Sequence, residues 1–223
     1  MQTSTGDYLA SAYGAKEGDY FAGARREWID PLPVDRSLSI LEVGCGAGAT
    51  GALALREGKC GTYIGIEMFA AAAAQAAKAL TAVHVGNVDT IELPFAPETF
   101  DILICGDVLE HLVDPEASLR RLIPLLKRGG QVIASVPNLA HWEVVLGLVR
   151  GRFDYTDQGV MDRTHLRWFT PRSLRRLFES AGFEVERVEA LGWKARSRTL
   201  TALLPFRHLL WRQIDLRGRR PVT

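Results

Sequence analysis

The chain has 223 residues, enough for one large domain or a domain with an insertion. It is 47% hydrophobic and 24% charged with a net charge of +1, which suits a globular protein and argues against binding polyanions through overall charge. Three cysteines without Cys-x-x-Cys spacing argue against a disulfide scaffold and lead us to expect a reducing, cytoplasmic setting.

Residues 1–15 are small and polar, with neither the basic nor the apolar region of a secretory leader. Residues 16–30 read as a helix that Pro31 and Pro33 break. Ser39 to Val43 is an apolar run apart from Glu42, the pattern of a buried parallel strand. A helix follows over Thr50–Glu57, then a strand over Thr62–Ile66 closing on Glu67. An alanine-rich helix is expected over 68–80, and a third strand over Ala82–Val85. Phe100–Cys105 reads as a fourth strand and Pro115 opens a helix running to about Lys127. Gly129-Gly130 reads as a turn before a fifth strand over Gln131–Val136. Residues 137–170 show no clear periodicity and are too long for an ordinary connection. A helix from Pro171 to Ala181, a strand over Phe183–Leu191 and a last strand over Trp211–Arg217 complete the pattern. No run is apolar enough over a membrane-spanning length. Strands alternating with helices at this spacing predict a doubly wound α/β fold.

The chemistry centres on Leu41-Glu42-Val43-Gly44-Cys45-Gly46-Ala47-Gly48. A strand, a glycine turn and a helix start make a nucleotide-like site. Gly44-x-Gly46-x-x-Ala49 fits a dinucleotide pattern, with Glu67 where a ribose-binding acid belongs. The rival ligand is S-adenosylmethionine, which carries positive centres in place of a pyrophosphate. Glu42, just before the glycines, suits that ligand better, although it also suits local backbone capping.

Four segments in order then resemble the class I S-adenosylmethionine-dependent methyltransferases. They are the glycine stretch, Gly65-Ile66-Glu67, Gly86-Asn87-Val88, and Leu93-Pro94-Phe95 through Phe100 to His111. The resemblance covers most of 38–191 and implies a Rossmann-like fold, a mostly parallel seven-stranded sheet with an antiparallel last strand. It implies that Gly44, Gly46 and Gly48 line the methionine moiety by backbone, and that Glu67 takes the ribose hydroxyls. Asn87 and the Val88 N–H would hold the adenine, with Met68 packing on it or serving as core. The Gly106 carbonyl would face the amino end, and Cys45, Glu42 and Asp107 complete the cofactor side. Tyr20 and Arg25 resemble a lid segment in which Arg25 pairs with the methionine carboxylate or stays a solvated helix-face residue.

Methyl transfer to an alcohol needs alignment and removal of a proton, a task matched by histidine. His165 is the first candidate for the base, with His141 and His111 next. Asp107-x-x-Glu110-His111 resembles the Glu-x-x-Glu-His stretch of ubiquinone-pathway O-methyltransferases and raises a divalent metal as a lesser alternative, with no metal ligand assigned. The segment from Ser135 to Pro171 resembles acceptor-side segments of small-molecule methyltransferases from polysaccharide and O-antigen synthesis. Its aromatics, Asp, Arg and His suit a hydroxylated acceptor.

These readings divide the chain into an N-terminal helical lid (1–35), a cofactor-binding domain (36–191) with an acceptor-side insertion (137–170), and a basic and apolar C-terminal segment (192–223). The expected function is methyl transfer from S-adenosylmethionine to a sugar, polysaccharide or lipid-linked precursor. Two alternatives are a catalytically weak binding partner of a biosynthetic enzyme and, less favoured, an NAD-dependent oxidoreductase. No nucleic-acid motif is present. The basic tail suits a solvated face or contact with a membrane surface, and the oligomeric state is left open.

Overall fold

The computed structural model describes residues 23–192 and 206–223. In chain order these form α1 (Arg26–Ile29), β1 (Ser39–Val43), α2 (Ala49–Arg56), β2 (Thr62–Glu67), α3 (Ala70–Ala76), β3 (Ala82–Val85) and β4 (Phe100–Gly106). They continue with α4 (Pro115–Leu122), β5 (Leu126–Pro137), α5 (Trp142–Val149), α6 (Pro171–Ser180), β6 (Glu184–Ala190) and β7 (Gln213–Arg219). The seven strands form one sheet in the order β3-β2-β1-β4-β5-β7-β6. β1 to β5 pair in parallel, and β7 runs antiparallel to both β5 and β6. Strand order reverses between β1 and β4, so a crevice opens there beyond their carboxyl ends.

Alternation along the strands feeds two cores. Leu41 and Val43 join Leu103, Val132, Leu119, Leu174 and Phe178 on the face under α4 and α6. Ile40 joins Tyr63, Ile102, Ile133, Leu53 and Trp28 on the other face. Helix starts are chemically specified. Asp114 accepts from the Ala117 N–H at 3.0 Å to cap α4, and Thr170 with Ser173 forms a capping box ahead of α6.

Five expectations shift. The helix from Pro115 ends at Leu122, because Pro124 has no N–H for a continued ladder; Ile123–Leu125 tightens to a 3-10 turn. Gly129-Gly130 lies inside β5 rather than in a turn, and a bulge between Phe100 and Ile102 absorbs the extra residues. The alanine helix is only Ala70–Ala76, and the last strand starts at Gln213. The segment 137–170 contains a regular helix, α5. Of the helix expected over 16–30, residues 23–30 are described; only Arg26–Ile29 among them is helical, and Trp28 there is packed into the core at 1% exposure.

Candidate functional site

The crevice holds a cavity of 350 Å³ lined by the loop after β1, the ends of β2 and β4, the 86–88 turn, Arg25 and His165. Gly44, Gly46 and Gly48 all have positive φ. Gly48 leaves no alternative, since a Cβ there would lie 2.9 Å from Ala76. The loop is held by Glu67, whose Oε2 accepts from the Gly46 N–H at 2.8 Å and whose Oε1 accepts from the Phe69 N–H at 2.9 Å. Burial raises the Glu67 carboxyl, and these backbone bonds oppose the rise. Glu42 is buried on the neighbouring strand, and its Oε2 accepts from the Tyr63 hydroxyl at 2.8 Å. Burial pushes the Glu42 carboxyl up to about 7, with the Tyr63 bond opposing. Each carboxylate therefore has a structural partner and still lines the cavity. Cys45 lines it too, but its sulfur turns toward β2, where a Cβ on Gly65 would come within 2.4 Å of it. Burial raises its thiol far above the usual range.

Asp107 sits at the end of β4 with φ 52, in the left-handed region that costs a non-glycine residue about 1–2 kcal/mol. Its Oδ1 accepts from the Ser135 hydroxyl at 2.9 Å and from the Gln213 side chain at 2.5 Å. Its Oδ2 accepts from Arg25, which also faces Glu27 at 3.5 Å. Arg25 thus answers an acid of this chain, and its backbone N–H donates to the Thr50 hydroxyl at 3.2 Å. Neither reading of Arg25 from sequence included Asp107. Gly106 is equally constrained, because a Cβ there would fall 1.9 Å from the Trp28 ring. The segment before β1 is therefore keyed to the end of β4.

On the far wall, His111 and His165 stack edge to face with ring centroids 4.9 Å apart. The Nδ1 of His111 lies 3.1 Å from the Thr164 carbonyl, and that of His165 lies 3.1 Å from the Val160 carbonyl. A carbonyl can only accept, so Nδ1 carries the proton in each neutral ring and Nε2 is the basic nitrogen. Glu110 completes the group, and ligand atoms of the three side chains lie within 4.8 Å of one another. The Glu110 carboxyl is buried with Oε2 unpartnered, and burial, reinforced by the charge of Asp107, holds it well above the usual carboxylate range. The Glu110 carbonyl accepts from the N–H groups of Leu166 and Arg167, which fixes the insertion against the cleft.

Of the residues expected from sequence, the cavity gathers Arg25, Glu42, Gly44, Cys45, Gly46, Glu67, Met68, Asn87, Val88, Gly106, Asp107, His111 and His165. Gly48 stands behind the loop as the N-cap of α2. Tyr20 lies outside the described residues. The Asn87 amide oxygen accepts from the Asp89 N–H at 2.9 Å. His141 is not in the cavity. It caps α5, 3.5 Å from Glu143, and lines a second chamber; burial lowers its imidazole. Thr50, Ser135, Gln213 and Trp28 were not singled out from sequence as cofactor-side residues, because they come from four separate segments that only the fold brings together. Much of the basic tail is engaged within the fold: Arg217 pairs with Asp215 at 3.1 Å, Arg219 with Glu184 at 3.1 Å, and Arg220 with the Leu126 carbonyl at 2.6 Å. Lys194, Arg196 and Arg198 lie outside the described residues. Among the described residues, no helix is long and apolar enough to cross a membrane.

A methyltransferase-domain family model matches residues 17–188. The ubiquinone biosynthesis O-methyltransferase of Pseudomonas putida strain W619 is 31% identical over 175 residues, 75% of this chain and 73% of that protein. Its counterpart in strain GB-1 is 33% identical over 135 residues, so the match spans 58% of this chain and only 57% of that relative's length. An S-adenosylmethionine dependent methyltransferase from Mesorhizobium loti superposes with a TM-score of 0.63 at 18% identity, covering 92% of this chain and 100% of that one. A methyltransferase solved with the Haloferax volcanii Trm112 methyltransferase activator gives a TM-score of 0.64 at 16% identity, covering 99% of each chain. At these identities the two structures share the fold.

Proposed function

The chain belongs to the class I S-adenosylmethionine-dependent methyltransferases, and from that premise we propose that it methylates an oxygen of a small hydroxylated acceptor, a sugar, polysaccharide or lipid-linked precursor. The observation that carries the oxygen acceptor is the pair of imidazoles on the cavity wall, both with Nε2 as the basic nitrogen.

The cavity fits the methyl donor by its own chemistry. Its acids suit positive centres, and its glycine loop admits close backbone contact where a Cβ on Gly44 would meet Val108 at 3.3 Å. S-adenosylmethionine supplies an electrophilic methyl group on a cationic sulfur. Gly44 and Gly46 would cradle the methionine end, Glu67 would offer its remaining lone pairs to the ribose hydroxyls, and Asn87 and Val88 would meet the adenine. Glu42 and Asp107 supply negative charge opposite the ammonium. Asp107 is kept in place by Ser135, Gln213 and Arg25.

His165 Nε2 takes the hydroxyl proton as the oxygen–carbon bond forms and the carbon–sulfur bond breaks. The Val160 carbonyl stabilises the resulting imidazolium through Nδ1–H. His111 orients the acceptor beside it. The cluster with Glu110 also matches a divalent-cation geometry. We favour the base reading because methylation of an alcohol needs a proton acceptor, and the Nε2 of His165 is one.

The test is direct. Calorimetric titration with S-adenosylmethionine and with NAD should show binding of the first alone. Incubation with panels of sugar nucleotides and lipid-linked sugars should release S-adenosylhomocysteine and yield a product heavier by one methyl group. Donor binding without turnover on any panel member, and unchanged by EDTA, would favour the binding-partner reading. That reading draws on the fold neighbour solved with a methyltransferase activator.

A further inference from the structure

A second chamber adjoins the donor cavity. It has a volume of 360 Å³ and is walled by α5, by residues 150–161 and by Arg212. Gly159 lines both chambers, so they are neighbouring parts of one recess. The donor has no use for the second chamber, since all the described residues assigned to it line the first or stand behind its loop.

The lining of this chamber is amphiphilic. Leu148, Phe153 and Met161 offer apolar surface, and Arg150, Arg152 and Arg212 offer charge. Arg152 is answered by Asp154 at 2.7 Å, and Arg212 by Glu143 at 3.3 Å. Arg150 has no ion pair among the described residues. Three cations therefore face two carboxylates, and His141 adds no charge at neutral pH because burial lowers its imidazole. The chamber carries an excess of one positive charge. Outside it, α5 buries none of its residues, although six of its eight side chains are apolar or aromatic. Trp142 is 47% exposed and Val149 is 79% exposed. A contiguous apolar face of this kind beside a cationic hollow marks a binding surface.

Resting on the methyl-transfer reading above, we propose that this second chamber anchors the acceptor and takes a phosphate monoester or diester carried on an apolar chain. The phosphate sits against Arg150 and Arg212, which are suited to forked contacts with its oxygens. The apolar chain runs along Leu148 and Phe153 and out over α5. The hydroxyl to be methylated passes Gly159 and reaches His165. Charge excess and apolar face together select a lipid phosphate over a nucleotide sugar, whose base and ribose would leave α5 uncovered.

Titration with farnesyl phosphate, in the presence of saturating S-adenosylhomocysteine, tests the assignment. Farnesyl phosphate should bind at least about tenfold more tightly than farnesol, inorganic phosphate or UDP-N-acetylglucosamine. Arg150→Glu and Arg150→Gln should each weaken it, the former by about tenfold or more. Arg172→Glu, the same charge change on the exposed side of α6, should leave it unchanged. Trp142→Ser should weaken farnesyl phosphate and leave inorganic phosphate unaffected. Tighter binding of the nucleotide sugar, equal binding of farnesol, or equal losses from the Arg150 and Arg172 variants would overturn the proposal. Binding of S-adenosylhomocysteine with no binding of farnesyl phosphate would sink this inference alone. Failure of S-adenosylhomocysteine itself to bind would sink the methyl-transfer reading beneath it.

Discussion

Trp28 and Trp142 flank the same recess and report two different kinds of protein surface. Trp28 fills the space left by Gly106, lies under the Arg25 guanidinium at 5.2 Å and is buried with Ile40 and Ile104. Trp142 opens α5, half exposed, on a helix that buries no side chain. Around Trp28, Glu42, Glu67 and Asp107 are bonded to neighbouring side chains and backbone N–H groups. Around Trp142, aromatic rings and arginines stand partly in water. The proposed donor side has most of its polar contacts made by folding. The proposed acceptor side carries apolar surface that folding leaves uncovered, which is the physical signature of a surface completed by a ligand.

Changing these two tryptophans is the strongest way to break the contrast. Trp28→Ala should cost about 3–5 kcal/mol, lowering the melting temperature by roughly 8–15 °C. Trp142→Ala should change stability by no more than about 0.5 kcal/mol and should instead raise the acceptor KM. Equal melting temperatures for the two variants in calorimetry would erase the distinction.

His165→Ala comes next. It should lower kcat by at least about 100-fold while leaving donor affinity intact, since no donor contact is assigned to this ring. Wild-type single-turnover rates would remove His165 as the base. Gly48→Ala attacks the donor side through the backbone. A methyl group at φ 82, 2.9 Å from Ala76, should cost about 2–3 kcal/mol and loosen donor binding, read by denaturant melts and titration.

The smallest effect sharpens the electrostatics of the donor side. The Glu42 carboxyl is raised from 4.5 to about 7 in the folded protein. A raised pKa means that the folded state holds the proton more tightly, so the stabilising contribution of this group is full below about pH 4.5 and is lost as pH rises through about 7. Donor affinity moves the opposite way, because the ionised carboxylate attracts the cationic donor. Affinity for S-adenosylmethionine should rise several-fold between about pH 6 and about pH 8, and Glu42→Gln should flatten that rise. A wild-type profile without slope would show that Glu42 faces Tyr63 alone.

Most of the donor side was legible from the chain. The glycine stretch, Glu67 and the 86–88 turn converge because β1, β2 and β3 run parallel, and parallel strands deliver the turns at their carboxyl ends to one edge of the sheet. Boundaries failed where non-local pairing overrode local signals. Gly129-Gly130 looks like a turn, and Gly129 does take φ 74, but the pair lies in the irregular part of β5 between its two registers with β4 and exchanges backbone bonds with Arg220. Helix α5 was missed because its apolar residues follow no buried stripe; a helix without a core face has no amphipathic period to read.

Sequence by itself determined the alternation of strands and helices, the glycine turn and the two acids, Glu42 and Glu67, that flank it, because these depend on local backbone geometry and on the period of apolar residues. Only the tertiary structure decided which histidines share a chamber. His111 and His165 meet because the Glu110 carbonyl binds the 166–167 backbone, while Asn138 ties the insertion to Trp211 and leaves His141 facing the second chamber. The tertiary structure also set Arg25 against Asp107 and brought Gln213 to the same carboxylate from the last strand. Those contacts close loops across the sheet, and their partners are chosen by packing between segments far apart in the chain, which no local pattern encodes.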